Sequence, residues 1–206
     1  LITECDRWSD KTIVQGLAKI AEGEGVLSEE GNKSIPSSKE YWVVDPLDGT
    51  RNYINKGDNY CVNIGFISDN FPIFGAIYIP SKDEFFYGIN GQGAHYVFND
   101  KLQRLKVKNS VDRTVLTSSA MNQKKLDMLN ALIPNLEIEK ISSAIKFGYI
   151  AKGLGNIYPR FGPTSEWDIA AAHAVLSSAG GSIIGLPNME ELAYAKKSSI
   201  LNPYFI

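Results

Sequence analysis

Between residues 60 and 107, five strand-like segments follow one another with almost nothing between them. This run restricts the chain to folds built on an antiparallel meander. The segments are 60–68, 73–79, 84–89, 94–98 and 102–107. The breaks hold turn formers: Asp69-Asn70, Ser81-Lys82-Asp83, Asn90-Gly91 and Asn99-Asp100. Links this short cannot carry a crossover, so neighbouring strands must run antiparallel.

Ahead of the meander, a helix is expected over 3–22. Ile13, Leu17 and Ile20 recur at helical spacing, and Gly23 is a stop. Val26-Leu27 is a short apolar stub leading into Ser28-Glu29-Glu30, and 31–39 reads as a loop. Residues 41–44 form a short buried strand that stops at Asp45-Pro46, where proline has no N–H for a ladder. A helical turn follows over 50–55. After about residue 109 the pattern alternates. Strands are expected at 114–117, 136–141, 156–158 and 182–184, and helices at 123–132, 144–152 and 168–179. The expectation is a mixed α/β fold in two lobes, 1–108 and 109–206, with sheets between helices and the second lobe contributing Asp168.

A chain of 206 residues supports one sizeable domain or two small lobes. Its formal net charge of -2 gives no overall field to attract nucleic acid or an anionic membrane. An anionic ligand must be caught by a few local cations or by a metal. Two cysteines and two histidines are too few for a disulfide framework or a zinc cluster, so a reducing, cytoplasmic setting is expected. No run of about 18 apolar residues is present to span a membrane. No signal peptide is visible, and the sequence begins at Leu1 without an initiator methionine.

The acidic residues sit at element ends. Glu29 and Glu30 follow one apolar stub, Asp45 and Asp48 follow a strand, and Asp168 opens a late helix. Carboxylates on such supports can converge, and they repel unless a cation neutralises them. The donors are all hard oxygens, which selects Mg²⁺ or a similar ion. In Asp45-Pro46-Leu47-Asp48-Gly49-Thr50, the three-residue spacing lets both aspartates reach a common site, with the Leu47 carbonyl as a further oxygen. Gly49 permits close backbone approach, the following turn offers free N–H groups to a phosphate, and the Thr50 hydroxyl can orient a water. Such a set suits phosphoester hydrolysis with two metals.

Plainer readings stand beside these. Thr3 and Asp6 have capping-box spacing. Asp168 could merely complement a helix dipole, and Glu29-Glu30 could be a solvated pair. Lys146 and Arg160 would by default be surface cations, and Ser143 a cap. His173, in an Ala-rich segment, is read as packing, and His95 receives no role. The Asp45 to Thr50 segment differs, because desolvating two carboxylates beside a buried strand is costly without a function.

The sequence as a whole resembles the inositol monophosphatase-like superfamily of lithium-sensitive phosphatases, and most of all its bacterial 3'(2'),5'-bisphosphate nucleotidases of the CysQ type. The likeness runs through Thr3-Glu4-Cys5-Asp6, Leu27-Ser28-Glu29-Glu30, residues 41–50 and Val62-Asn63-Ile64. It continues in Lys146-Phe147, Tyr158-Pro159-Arg160-Phe161-Gly162-Pro163-Thr164, Trp167-Asp168, Ala170-Ala171 and Leu201-Asn202-Pro203. By flat residue usage, a D-P-x-D-G-T match arises by chance in roughly one such chain in ten thousand. The resemblance implies a layered α/β/α/β/α sandwich of the inositol monophosphatase/fructose-1,6-bisphosphatase type. It also implies two or three Mg²⁺ ions held by Glu29, Asp45, the Leu47 carbonyl, Asp48 and Asp168. Asp6 with Thr50 would activate water. The Gly49 and Thr50 amides would meet the phosphate, as would Asp168, and Ser143, Lys146 and Arg160 would contact a nucleotide.

The expected reaction is thus hydrolysis of a small phosphorylated metabolite, such as adenosine 3',5'-bisphosphate to AMP. An inositol or sugar phosphate is the alternative, and a binding module without turnover is a third. Two departures are noted. The family carries a helix and a basic loop, about 40 residues on the scale of such a domain, ahead of the position of Thr3. Its Ser-Arg-Ser-His stretch is here Thr117-Ser118-Ser119-Ala120, which removes a histidine and counts against adenosine 3',5'-bisphosphate.

Overall fold

Along residues 61–68 every second side chain is buried, and the intervening ones are only partly covered. That alternation is the mark of a strand with one face in the core. In the computed structural model, which describes residues 1–21, 23–108, 114–118, 121–132, 135–196 and 199–206, it repeats over 84–89 and 94–97, while 101–104 are exposed. The elements are α1 (Glu4–Ile20), β1 (Gly25–Ser28), β2 (Glu40–Asp48), α2 (Thr50–Ile54), β3 (Cys61–Ser68), β4 (Phe71–Ile79), β5 (Glu84–Ile89), β6 (Gly93–Phe98) and β7 (Lys101–Leu105). They continue as β8 (Thr114–Thr117), α3 (Gln123–Leu132), β9 (Glu137–Lys140), α4 (Ile145–Ala151), α5 (Glu166–Ser178), β10 (Ile184–Leu186), β11 (Glu190–Glu191) and β12 (Tyr204–Phe205).

Strands β1 to β7 form one sheet in sequence order. Only the β1–β2 pair is parallel, so the expected antiparallel meander is present. A parallel pair, β8–β9, and a small sheet in the order β11-β10-β12 complete the strands among the described residues. Helix α5 lies on the large sheet, in contact with β2 through β6.

Its seat is a row of three glycines in mutual register, Gly65, Gly75 and Gly88 on β3, β4 and β5. A Cβ at Gly75 would lie 2.0 Å from the Ala171 carbonyl oxygen, and one at Gly88 2.7 Å from Val175 Cα. With Ala170, Ala171, Ala172 and Ala174 facing inward, helix and sheet backbones approach unusually closely. This contact sets where α5, which carries Asp168 in its first turn, lies on the sheet that carries Asp45.

The structure departs from the sequence reading at several points. Strand β2 does not stop at Asp45-Pro46; it runs on to Asp48. The register with β3 shifts between Asp45 and Asp48, so Pro46 occupies an irregularity where its missing N–H breaks no ladder bond. The segment 156–158 makes only a bridge, Ile157 to Val115. The last expected strand is displaced to Ile184–Leu186 because it pairs with β11 and β12, which have too few residues to show a period. Helix α5 begins at Glu166 rather than Asp168. Residues 22, 109, 119 and 120, which the sequence reading used, lie outside the described residues.

Candidate active site

Glu29 follows β1, Asp45 lies within β2, and Asp168 is the third residue of α5. One carboxylate oxygen from each falls within 4.8 Å of the others. Three segments far apart in sequence thus meet at one point. Asp45 is buried; its Oδ1 accepts from the Leu47 amide at 3.1 Å, and its Oδ2 has no partner among the described residues.

Burial, and then the neighbouring carboxylates, penalise negative charge throughout the cluster. Asp168 is pushed up to about 7, chiefly by burial and then by Asp48. Asp45 is raised well above the usual carboxylate range by burial, Asp48, Glu29 and Asp168. Glu29 is raised chiefly by burial, with the charges of Glu30 and Asp48 adding to it. Hard oxygens, an unpartnered buried oxygen and raised proton affinities fit a divalent cation, which would offset all of these penalties. The cluster can therefore hold a metal.

Asp48 is not in that triangle but adjoins it, its charge bearing on both Asp45 and Asp168. Its Oδ2 accepts from the Ala144 amide at 2.5 Å, joining the β2 end to the start of α4. Burial raises its proton affinity, while Lys146 and the Ala144 amide lower it. Thr50 Oγ1 lies 3.1 Å from the Leu47 carbonyl and 3.2 Å from Asp6 Oδ1. Asp6 Oδ2 accepts from Thr3 N at 2.7 Å and from Thr3 Oγ1 at 2.5 Å. One Asp6 oxygen thus serves the cap while the other faces Thr50. Asp168 behaves alike, its Oδ2 accepting from Ser165 N at 2.7 Å. Gly49 has φ 93°, and a Cβ there would meet the Asn59 carbonyl at 2.8 Å, so only glycine fits this turn.

A cavity of about 520 Å³ opens beside the cluster, lined by Asp48, Asp168, Ser143, Lys146, Arg160 and others. The default reading of Lys146 as a surface cation does not hold, since it is 1% exposed. Its Nζ donates to the Ile141 carbonyl at 3.0 Å and to that of Ser143, and it stands over the Tyr158 ring. Burial lowers its pKa to about 8. Arg160 Nη2 donates to Pro163 O at 3.0 Å. Ser143 has a left-handed backbone, and its Oγ approaches Ile145 N and Cys61 Sγ. His173 is buried, and its ring contacts the Phe71 ring, as packing predicts.

Sequence reasoning assigned no role to Asn63, Arg51 or Thr164. Asn63 is a buried polar residue on the inward face of β3, beside Asp48. Arg51 and Thr164 line the cavity. A polar residue breaking the apolar side of an alternating strand was the available signal for Asn63; Arg51 and Thr164 carry none.

Fold and site together define a member of the inositol monophosphatase family, whose profile matches residues 1–204, and the chain belongs to it. It is an enzyme of the phosphatase class. Among known relatives, it is 31% identical over 207 residues to the 3'(2'),5'-bisphosphate nucleotidase CysQ of Salmonella typhimurium strain LT2, covering 99% of this chain and 83% of that protein. It is 33% identical over 219 residues to CysQ of Aggregatibacter actinomycetemcomitans, covering 100% of this chain and 79% of the relative. The crystal structure of CysQ from Bacteroides thetaiotaomicron superimposes with a TM-score of 0.85 at 30% identity, covering 97% of this chain and 81% of that one. Inositol monophosphatase from Anabaena sp. PCC 7120 gives 0.80 at 25% identity, covering 97% and 79%.

Proposed function

We propose that this chain is a Mg²⁺-dependent phosphomonoesterase that removes the 3'(2')-phosphate from a nucleoside 3'(2'),5'-bisphosphate. The observation that carries this reading is the convergence of Glu29, Asp45 and Asp168 beside a cavity bearing Lys146 and Arg160. The likeness to the CysQ nucleotidases supports the choice of substrate.

In this reading Glu29, Asp45, the Leu47 carbonyl, Asp48 and Asp168 hold the ions. Bound there, Mg²⁺ supplies positive charge that polarises the phosphoryl oxygens and makes water a better nucleophile. Thr50 donates its proton to Asp6 and offers a lone pair to the attacking water, aligning it. The Gly49 and Thr50 amides receive the phosphate oxygens. Lys146 has one N–H left after its two carbonyl bonds, and Ser143 and Arg160 offer further donors to the nucleotide. Holding the reacting atoms in line supplies most of the rate in such chemistry. Cys5 and Cys61 are both free thiols, which suits a reducing cytoplasmic setting.

The test is phosphate release with Mg²⁺ from adenosine 3',5'-bisphosphate, AMP, inositol 1-phosphate and a sugar phosphate. The bisphosphate should have the highest kcat/KM. Preference for the inositol or sugar ester would overturn the substrate assignment. Nucleotide binding with no phosphate released would overturn catalysis itself.

A further inference from the structure

Glu166 lies two residues before Asp168, at the first position of α5, and its side chain is fully buried. A carboxylate in such a place is costly unless every lone pair is met. Here both oxygens are. Oε1 accepts from Lys196 Nζ at 2.7 Å and from the Lys196 amide at 3.3 Å. Oε2 accepts from the Tyr41 hydroxyl at 3.2 Å and from the Ala195 amide at 3.3 Å. Tyr41 belongs to β2, the strand that carries Asp45 four residues later.

The network goes on through Lys196. Its Nζ also donates to Asn202 Oδ1 at 3.2 Å. Asn202 in turn grips the residues that open α5: its Nδ2 donates to the Ser165 carbonyl at 2.7 Å, and its amide to the Thr164 carbonyl at 2.8 Å. Ser165 is the residue whose amide holds one oxygen of Asp168. A continuous set of polar contacts therefore runs from β2, through Glu166, Lys196 and Asn202, to the backbone that orients Asp168.

We propose that Glu166, paired with Lys196, is a positioning residue for Asp168. It locks the first turn of α5 against β2 and the C-terminal segment, so that the free oxygen of Asp168 faces Glu29 and Asp45. The inference rests on the reading of Asp168 as a metal ligand. Groups that orient metal ligands in this way typically alter metal affinity or activity by roughly 10–100-fold when removed. The glycine row sets where α5 lies on the sheet, but not the rotation of its first turn, which is what this network holds.

The test compares Glu166→Gln, Lys196→Met, Lys196→Arg, Asn202→Ala and Asp168→Asn in the full chain. Two quantities are read: the Mg²⁺ concentration for half-maximal activity, and the Mg²⁺ concentration that half-saturates the rise in Tm, which needs no turnover. Glu166→Gln and Lys196→Met should raise both midpoints roughly 10-fold or more, with substrate KM at saturating Mg²⁺ nearly unchanged. Lys196→Arg, which keeps the charge, should lie nearer the parent protein. Asn202→Ala, which leaves the Glu166–Lys196 pair intact, should shift the midpoints in the same direction and serves if the pair variants do not fold. A fall in Tm with unmoved Mg²⁺ midpoints in every folded variant would overturn the positioning role. Unmoved midpoints in Asp168→Asn would instead overturn the metal-ligand reading on which it rests.

Discussion

Thr50 Oγ1 lies 3.2 Å from Asp6 Oδ1, across 44 residues of sequence. This contact ties the one-turn helix after β2 to the start of α1. The opposite oxygen of Asp6 is committed to the Thr3 cap, so the aspartate cannot rotate away. Asp6 and Asp168 stand at the same place in their helices, and each gives one oxygen to a cap. A helix start thereby becomes a rigid mount for a carboxylate, one oxygen held and the other free to face the candidate site.

Thr50→Val removes the hydroxyl and keeps the shape. Turnover should fall roughly 100-fold to 10,000-fold, the range for losing a positioned acid–base group. Stability should change by only about 1 kcal/mol, the worth of one neutral hydrogen bond. Thr50→Ser should retain most activity. Steady-state kinetics and thermal unfolding check both, and a fully active valine variant removes Thr50 from the mechanism.

Asp45→Asn should abolish turnover and leave the fold intact. The amide keeps the Oδ1 contact with Leu47 N and can donate to Glu29 where two carboxylates now repel. In EDTA the variant should therefore melt no lower than the parent. The parent should gain stability on adding Mg²⁺, about 2.7 kcal/mol at 100 times Kd, and the variant should not. Global unfolding of the variant would deny Asp45 its metal role.

Lithium should inhibit. It is a small, hard cation, and the cluster offers only oxygen donors. Phosphate release is followed as Li⁺ replaces Na⁺ at constant ionic strength, which separates a site effect from screening. A rate that does not respond to Li⁺ contradicts the expectation.

Much of this was legible in the sequence because it depended on local rules. Turn residues at close spacing disclosed the meander, and the Asp45 to Thr50 segment pointed to the acidic cluster, since both signals lie within a few residues. The burial of Lys146 was not legible. It follows from the Tyr158 ring above it and from two carbonyls at the turn before α4, and such contacts leave no trace in spacing. The extension of β2 through Pro46 was hidden for a related reason, because the proline fits where β2 carries one extra residue against β3, and that is seen only once the register is known. The row Gly65, Gly75 and Gly88 can be seen as a row only once the register is known.

His173 should stay neutral far below its usual range. Burial lowers its pKa to about 4, with Tyr194 OH 3.1 Å from Nδ1. Glu191 Oε1 is 3.6 Å from Nε2, too long for a hydrogen bond and half-exposed, so it does not offset the burial. The unfolded chain binds this proton from about 6.5 downward and the folded chain only near 4. The contribution is thus complete above pH 6.5 and is lost as pH falls through about 4, at a total of about 3 kcal/mol. Following the ring protons by NMR should give an apparent pKa near 4, and His173→Gln should flatten the stability profile across that window. An ordinary histidine titration with no difference in slope contradicts the account.

Lys146→Met separates two uses of one ammonium. The methionine stem fills the same buried space, but the carbonyls of Ile141 and Ser143 lose their donor. Unmet buried acceptors cost about 1–3 kcal/mol each, so stability should fall by about 2–6 kcal/mol. The turn at Ser143, with φ 62°, then loosens and draws the Ala144 amide away from Asp48. Activity should therefore fall through kcat as well as KM. Lys146→Arg should not restore it, because a planar guanidinium cannot occupy a site shaped for a compact ammonium beneath the Tyr158 ring. Urea titration and steady-state kinetics on the same preparations decide the matter. If stability holds and only KM rises, the side chain serves the substrate alone, and the α4 turn is held by Asp48 without it.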